Sequence, residues 1–291
     1  MTSPPAPTPA PPGALALFTR RALALARTEI TALGALLVIA VGVMTFVEVA
    51  DDMTEADGQA FDQSVLMAMR PYADDPGRPW GPWWLKEAAD DITSLGGISV
   101  LGLFATIAVI FLVIQRKRLS ALLLVVGLGV GVMLSEGLKS VFERERPPVA
   151  YQAVETINAS FPSGHALLSA VFYLSLGVML TRAFPQKRLK AYALGVGILM
   201  TLLVGITRIY LGAHWASDVF AGWSVGAAWA TTLWLISYAV ERRQSRHHAA
   251  LQDKPALILG MDLLREFSLV AMDFGRSVVR FDLADRPRAG V

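Results

Sequence analysis

Cysteine is absent from the 291 residues, so disulfides, thiolate catalysis and cysteine-ligated metal sites are excluded. That absence does not locate a compartment. Charge is scarce as well. Lys, Arg, Asp and Glu make up 17% of the chain, where a soluble domain carries about 25%. The two signs nearly cancel to a formal +2, and no basic stripe interleaved with aromatics is present, which argues against nucleic acid as a partner. What dominates is apolar: 54% hydrophobic residues and a positive mean hydropathy. Several runs of about 16–22 residues carry no Lys or Arg, near the length needed to cross about 30 Å of hydrocarbon. The composition is that of a multispanning membrane protein.

Residues 1–13 are rich in Pro, Ala and Thr and too poor in large apolar groups to fold, and read as a disordered tail. A juxtamembrane segment at 14–29 carries Arg20, Arg21 and Arg27 and is expected on the membrane surface. The apolar run at 30–49 is longer than a cleaved signal core and starts well into the chain, so it reads as a retained span. Residues 51–91 form an acidic, polar connection. Trp80, Trp83 and Trp84 within it suit an anchor at headgroup depth, with ordinary loop packing as the alternative. Further spans are expected near 98–114, 119–138, 166–180, 191–206 and 219–240, which makes an all-α integral membrane fold of about six helices. The transmembrane domain is thereby set at 30–246. Residues 247–291 mix Leu263, Leu264 and Phe267 with Asp262, Arg265 and Glu266, and read as a cytoplasmic tail forming an amphipathic helix.

Three polar islands interrupt the apolar chain. The first, 139–147, holds Lys139, Arg146 and Pro147; the second is Pro162, Ser163, Gly164 and His165; the third, 207–218, holds Thr207, Arg208, His214 and Asp218. With six spans, all three fall on one side together with the acidic connection. The clusters Arg116 to Arg118, Arg182 to Lys190 and Arg242 to Arg246 fall on the other side, which the positive-inside rule makes cytoplasmic. The expected location is therefore the inner (cytoplasmic) membrane, with a site on the periplasmic or outer face.

Ionisable groups at such depth are costly unless they line a wet or protein-buried site. His214 and Asp218, four apart, share a helical face. The carboxylate can accept the proton on one imidazole nitrogen and leave the other as a nucleophile. Arg208 suits a phosphate because its planar fork bonds two oxygens at once. Pro162 and Ser163 open a helix, where free N–H groups bind anions, and Gly164 lets the backbone approach a ligand. His165 in that first turn can donate a proton to a leaving oxygen. Lys139 and Arg146 would neutralise charge developing on phosphoryl oxygens. Glu136, one turn before Lys139, reads as a local ion-pair partner. Ser163 lacks the Gly-x-Ser-x-Gly context of a serine nucleophile. Each element alone has a bland reading: a structural His–Asp hydrogen bond, a turn, a snorkelling cation. Their joint occurrence on one face points to a phosphate pocket. Which histidine attacks stays open at this level.

Together the islands resemble the signature of the type 2 phosphatidic acid phosphatase superfamily: Lys, six residues, Arg-Pro; then Pro-Ser-Gly-His; then Ser-Arg, five residues, His, three residues, Asp. One position departs from it, Thr207 standing where the family has Ser, and the hydroxyl is kept. The resemblance implies a membrane lipid phosphatase of the bacterial six-span kind. In it His214 would attack phosphorus and form a phosphohistidine, with Asp218 orienting it. His165 would protonate the leaving group and then activate water. Lys139, Arg146, Ser163, Gly164 and Arg208 would hold the phosphate. No metal or other cofactor is implied. Substrates implied by the resemblance are undecaprenyl diphosphate, phosphatidylglycerol phosphate, phosphatidic acid and the phosphates of lipid A. Phosphotransfer to a lipid acceptor, and lipid binding or transport without turnover, stand as alternatives. The lipid and the oligomeric state are open.

Overall fold

The apolar runs form helices because long stretches of Leu, Val, Ile and Ala can satisfy every backbone group internally where water is absent. The computed structural model describes residues 14–154, 156, 158–252, 267–273 and 278–283, with side chains between 29 and 246. The elements are α1 (Ala14–Asp52), α2 (Ala56–Ala68), α3 (Trp83–Ser94), α4 (Ile98–Ile114), α5 (Arg118–Phe142), a short 3-10 turn at Val149–Tyr151, α6 (Gly164–Thr181), α7 (Lys187–Tyr210), α8 (Ala216–Gln252), β1 (Phe267–Asp273) and β2 (Val278–Leu283). Contacts divide the chain into units at 1–238 and 239–291.

Among the described residues, five helices are long and apolar enough to cross a membrane by themselves. A sixth crossing arises if α3 and α4 are taken together, for they meet at a 50° bend. The expected six spans are therefore matched, the second of them bent. Side chains such as Leu37, Met44, Ile107, Ile114, Met133 and Tyr192 are exposed in unit 1. That surface would be a liability in water and is the normal one against lipid tails.

Helix α6 is the most enclosed span, with 61% of its apolar window buried. Its Leu167, Val171 and Phe172 pack with Leu101 of α4, Leu124 of α5 and Leu233 of α8. Between lipid-facing helices close approach, more than hydrophobicity, drives association. Gly222 is the sharpest case: a Cβ there would sit 2.6 Å from the Ser163 carbonyl oxygen. The missing side chain lets the first turns of α8 and α6 touch, which puts the second and third islands in contact.

Three expectations change. The 14–29 segment is not a separate surface helix; α1 runs through it without a break. The 51–91 connection contains α2 and α3, whose patterns are too short and too polar to stand out in sequence. They fold because tertiary contacts hold them: Ala89 and Leu85 of α3 pack on Tyr210 and Leu211 at the end of α7. Trp80, Trp83 and Trp84 are exposed, in keeping with an anchor and not with loop packing. In the tail, 267–273 and 278–283 are strands and not helix. Strands β1 and β2 pair antiparallel, from Phe267 opposite Leu283 to Asp273 opposite Val278. Val270, Val278, Val279 and Phe281 are residue types that favour a pleated surface. The expected disordered tail at 1–13 and the tail residues 253–266, 274–277 and 284–291 lie outside the described residues.

Candidate active site

The three islands converge at one end of the helix bundle of unit 1. The opposite end carries the short links α4–α5 and α6–α7 with Arg116, Lys117, Lys187 and Arg188. Each island is delivered by a helix terminus. Helix α5 stops where Glu143 turns left-handed (φ 43°) and donates its N–H to the Lys139 carbonyl at 3.0 Å. This leaves Lys139 in the last turn and sends Arg144 and Arg146 into the loop. Ser163 N-caps α6, its hydroxyl accepting from the Ala166 N–H at 3.5 Å.

Helix α7 stops at Gly212, whose φ of 67° only glycine adopts readily. A Cβ there would also lie 2.4 Å from the Tyr151 carbonyl oxygen. The turn folds the chain back, so that the N–H groups of Ala213 and His214 donate to the Arg208 carbonyl at 3.0 and 3.3 Å. The five residues between Arg208 and His214 are thus spent on a helix stop and a reversal. Helix α8 then starts after Trp215, and Asp218 in its first turn accepts the Trp215 N–H at 2.9 Å, one half of a capping box.

The result is a cavity of about 250 Å³ lined by Lys139, Arg146, Gly164, His165, Arg208 and His214. Apolar Ile98, Val132 and Leu168 line it too. Gly96, at the α3–α4 bend, borders it beside His165. Two predicted residues do not line this cavity. Asp218 lies behind His214, fully buried, and Ser163 is buried under the α6 N-terminus with its N–H donating to the Asp218 carbonyl at 2.9 Å. Thr207, the departure from the family pattern, is buried and its hydroxyl donates to the Val204 carbonyl at 2.7 Å.

His214 is held from both sides. Its Nδ1 is 3.4 Å from Asp218 Oδ2, and the Ser160 hydroxyl, which also donates to that oxygen, is 3.5 Å from Nδ1. Its Nε2 is 3.2 Å from Arg146 Nη1. The arrangement fits an imidazole with its proton on Nδ1 and its lone pair on Nε2 at the cavity. Burial pushes the His214 pKa down to about 4. The Asp218 hydrogen bond and charge oppose that, and the Arg146 and Arg208 cations add to it. The ring is neutral at pH 7, the state a nucleophile requires.

Sequence reasoning missed the residues that aim these groups. Arg146 is braced by the Asn158 carbonyl at 2.6 Å, the Asn158 side chain at 3.0 Å and the Ala213 carbonyl at 2.6 Å. Arg208 reaches Thr93 of α3 at 3.3 Å, and its Nε is buried with no protein acceptor. Ser135 Oγ, also on the cavity wall, is buried and unpartnered. Orphaned donors at a cavity wall are unfavourable unless a ligand accepts them. Lys139 pairs with Glu136 at 2.8 Å, as the spacing suggested. Among the described residues no group of three His, Cys, Asp or Glu gathers as a metal site.

A family model described as the PAP2 superfamily matches residues 120–242. The chain is 35% identical over 145 residues to phosphatidylglycerophosphatase B of Bacillus subtilis, covering 49% of this chain and 70% of that protein. The chain belongs to the PAP2 superfamily. A second relative, undecaprenyl-diphosphatase of Sulfolobus acidocaldarius, is 30% identical over 126 residues, 42% of this chain and 57% of that protein. Among solved structures, this PAP2 chain is similar to the transmembrane PAP2-type phosphatidylglycerolphosphate phosphatase of Bacillus subtilis. The TM-score is 0.64 at 27% identity, covering 69% of this chain and 96% of that one. The PAP2 match begins at residue 120, so α1 to α4, with Asp62 and Thr93, lie before it.

Proposed function

We propose that this PAP2 protein is a membrane-embedded lipid phosphatase that hydrolyses the phosphomonoester or diphosphate of a lipid through a phosphohistidine. The observation that carries the reading is the convergence of Lys139, Arg146, Arg208, His165 and His214 on one cavity with buried, unpartnered donors. The named relatives act on a phosphatidylglycerol phosphate and an undecaprenyl diphosphate, and both lipid classes are candidates for this chain.

In the proposed reaction His214 Nε2 forms a bond to phosphorus as the bond from phosphorus to the lipid oxygen breaks. Asp218, accepting from Nδ1, stabilises the positive charge that develops on the ring. His165 gives its proton to the departing oxygen. In the second half His165 takes a proton from water, the water oxygen bonds to phosphorus, and the bond to Nε2 breaks to release phosphate. Lys139, Arg146, Arg208 and the α6 N-terminus at Gly164 hold the phosphoryl oxygens throughout, while Ser163 caps that helix from beneath. The positive-inside argument supports an inner-membrane protein with this cavity on the periplasmic or outer side. Lipid would enter past Ile98, Val132 and Leu168, the apolar part of the wall.

The test is phosphate release from a panel of lipid phosphates in excess EDTA, with His214→Ala alongside. Release by the parent and its loss in the variant is the expected result. No release from any lipid, or equal release by the variant, overturns the reading in favour of lipid binding. Transfer of the group to a lipid acceptor in place of water would move the assignment to phosphotransfer.

A further inference from the structure

Resting on that reading, we infer that Arg144 and Asp62 are positioning residues for the nucleophile: Asp62 of α2 aims Arg144, and Arg144 holds Asp218 in the orientation that serves His214. Neither belongs to the three islands' motif. Arg144 lies on the opposite side of Asp218 from His214, away from the substrate cavity, and its neighbours there line a separate cavity with Gln59, Gln63 and Trp215.

The geometry is specific. Arg144 Nη1 donates to Asp218 Oδ1 at 2.6 Å and to the Ser217 hydroxyl at 2.7 Å, while Nη2 donates to Asp62 Oδ2 at 2.7 Å. Both carboxylates are wholly buried, and the Arg144 side chain is 12% exposed. Asp62 is tied in turn to α8. Its Oδ1 accepts the Ser217 N–H at 2.9 Å and its Oδ2 accepts the Ser217 hydroxyl. One arginine therefore spans a carboxylate of α2 and a carboxylate of α8, and Asp62 also serves a free N–H at the α8 N-terminus, where a negative charge is favoured. Asp218 is left with Oδ2 for Ser160, Trp215 and His214.

Two consequences separate positioning from bulk stability. Arg144 restrains the carboxylate to one rotamer, so its loss lowers the rate of attack without altering the phosphate cradle. It also draws charge from Asp218, which limits how strongly that carboxylate favours a protonated His214. Removing Arg144 therefore raises the His214 pKa. The other groups facing that ring are Arg146 from the loop after α5, His165 of α6, Arg208 of α7 and the Ser160 hydroxyl, with Lys139 of α5 in the same cavity; all are unchanged by the substitution.

The experiment compares the parent with Arg144→Gln, Arg144→Lys, Asp62→Asn and the double Gln/Asn variant. It reads kcat and KM for phosphate release, inhibition by inorganic phosphate, and the pH titration of His214 by 15N-histidine NMR in detergent. For Arg144→Gln we expect kcat to fall about 10–100-fold, the range for an outer-shell group that orients a catalytic ligand. KM and the constant for inhibition by inorganic phosphate should stay within about twofold, and the His214 titration should move up in pH. Arg144→Lys should keep the parent titration, because the charge remains, but not the full kcat, because one ammonium cannot fork between two carboxylates. Asp62→Asn should lower kcat only while Arg144 is present, so the double variant is no worse than Arg144→Gln alone. Additive losses, a change in KM or in the inorganic phosphate constant that follows kcat, or an unmoved titration would overturn the inference. If Arg144→Gln does not fold, Arg144→Lys and Asp62→Asn carry the comparison. A parent without turnover would refute the phosphatase reading, while the NMR titration would still decide the positioning.

Discussion

Asp218→Asn changes one atom and removes the group on which four donors converge. In the parent, Oδ1 accepts from Arg144 at 2.6 Å, while Oδ2 accepts from the Trp215 N–H at 2.9 Å and from Ser160, and faces His214 Nδ1 at 3.4 Å. An amide offers one oxygen and one NH2. With the oxygen kept on Arg144, the NH2 meets the Trp215 N–H and the protonated His214 Nδ1, donor against donor. The ring relieves this only by moving its proton to Nε2, which sets Nε2–H against the Arg146 Nη1 donor at 3.2 Å and forces that arginine aside. Nε2 then has no lone pair for phosphorus. Loss of a tautomer-setting carboxylate cost about 10⁴ in kcat for a protease histidine. We expect about 10³–10⁴ here, on the order of 4–6 kcal/mol of barrier. The mismatch at a buried site should also cost about 1–3 kcal/mol of stability. The assay is kcat for phosphate release in detergent, with alkaline trapping of the phosphoenzyme, whose phosphorus–nitrogen bond survives alkali but not acid, and a melting curve on the same sample. A folded variant with kcat within tenfold of the parent and unchanged KM would refute the reasoning.

The remaining predictions concern the same end of the bundle. The His214 pKa is depressed to about 4 from an ordinary 6.5, so the unfolded chain binds more protons than the folded one between these values. Its contribution to stability is fully present above about pH 6.5 and is lost as pH falls toward 4; melting temperature in detergent against pH should show that sign, and an acidic limb of kcat/KM from this ring should lie near pH 4. Glu136→Gln removes the half-exposed carboxylate that competes for Lys139 at 2.8 Å. We expect KM and the constant for inhibition by inorganic phosphate to fall about two- to fivefold, the scale of a partly exposed ion pair; a rise would refute it. Gly222→Val places atoms within 2.6 Å of the Ser163 carbonyl and 3.0 Å of Ala166 Cβ. It should lower stability by about 1–3 kcal/mol or more and reduce kcat by parting α6 from α8, as followed by melting and phosphate release.

The membrane character and the spans were legible because they depend on composition and run length, which folding does not alter. Lys139, Arg146, His165, Arg208 and His214 were legible for a related reason. Each sits at the polar end of an apolar run, and a charge at such a place is too costly to be incidental. The ion pair of Glu136 with Lys139 was readable because three residues on a helix are neighbours whatever the fold. Short-range geometry and solvent preference are properties of the chain itself.

Tertiary structure alone decided what stands behind those residues. Asp62 reaches the site across 155 residues to Ser217, Ser160 reaches Asp218 across 58, and Thr93 reaches Arg208 across 115. No local pattern marks such partners, because the hydrogen bonds that make them useful exist only after α2, α3 and the loops dock. The two helices inside the 51–91 connection were hidden for the same reason: α3 is stabilised by the end of α7, and α2 by the bonds of Asp62 to Ser217 of α8. The tail strands followed pairing between 267–273 and 278–283 over the mixed apolar and charged pattern read there as a helix. The sequence determined which chemistry this protein carries and the end of the bundle that carries it. The orientation of His214, the proposed nucleophile, came from long-range contacts, because aiming one imidazole requires groups on several helices to be held at fixed distances at once.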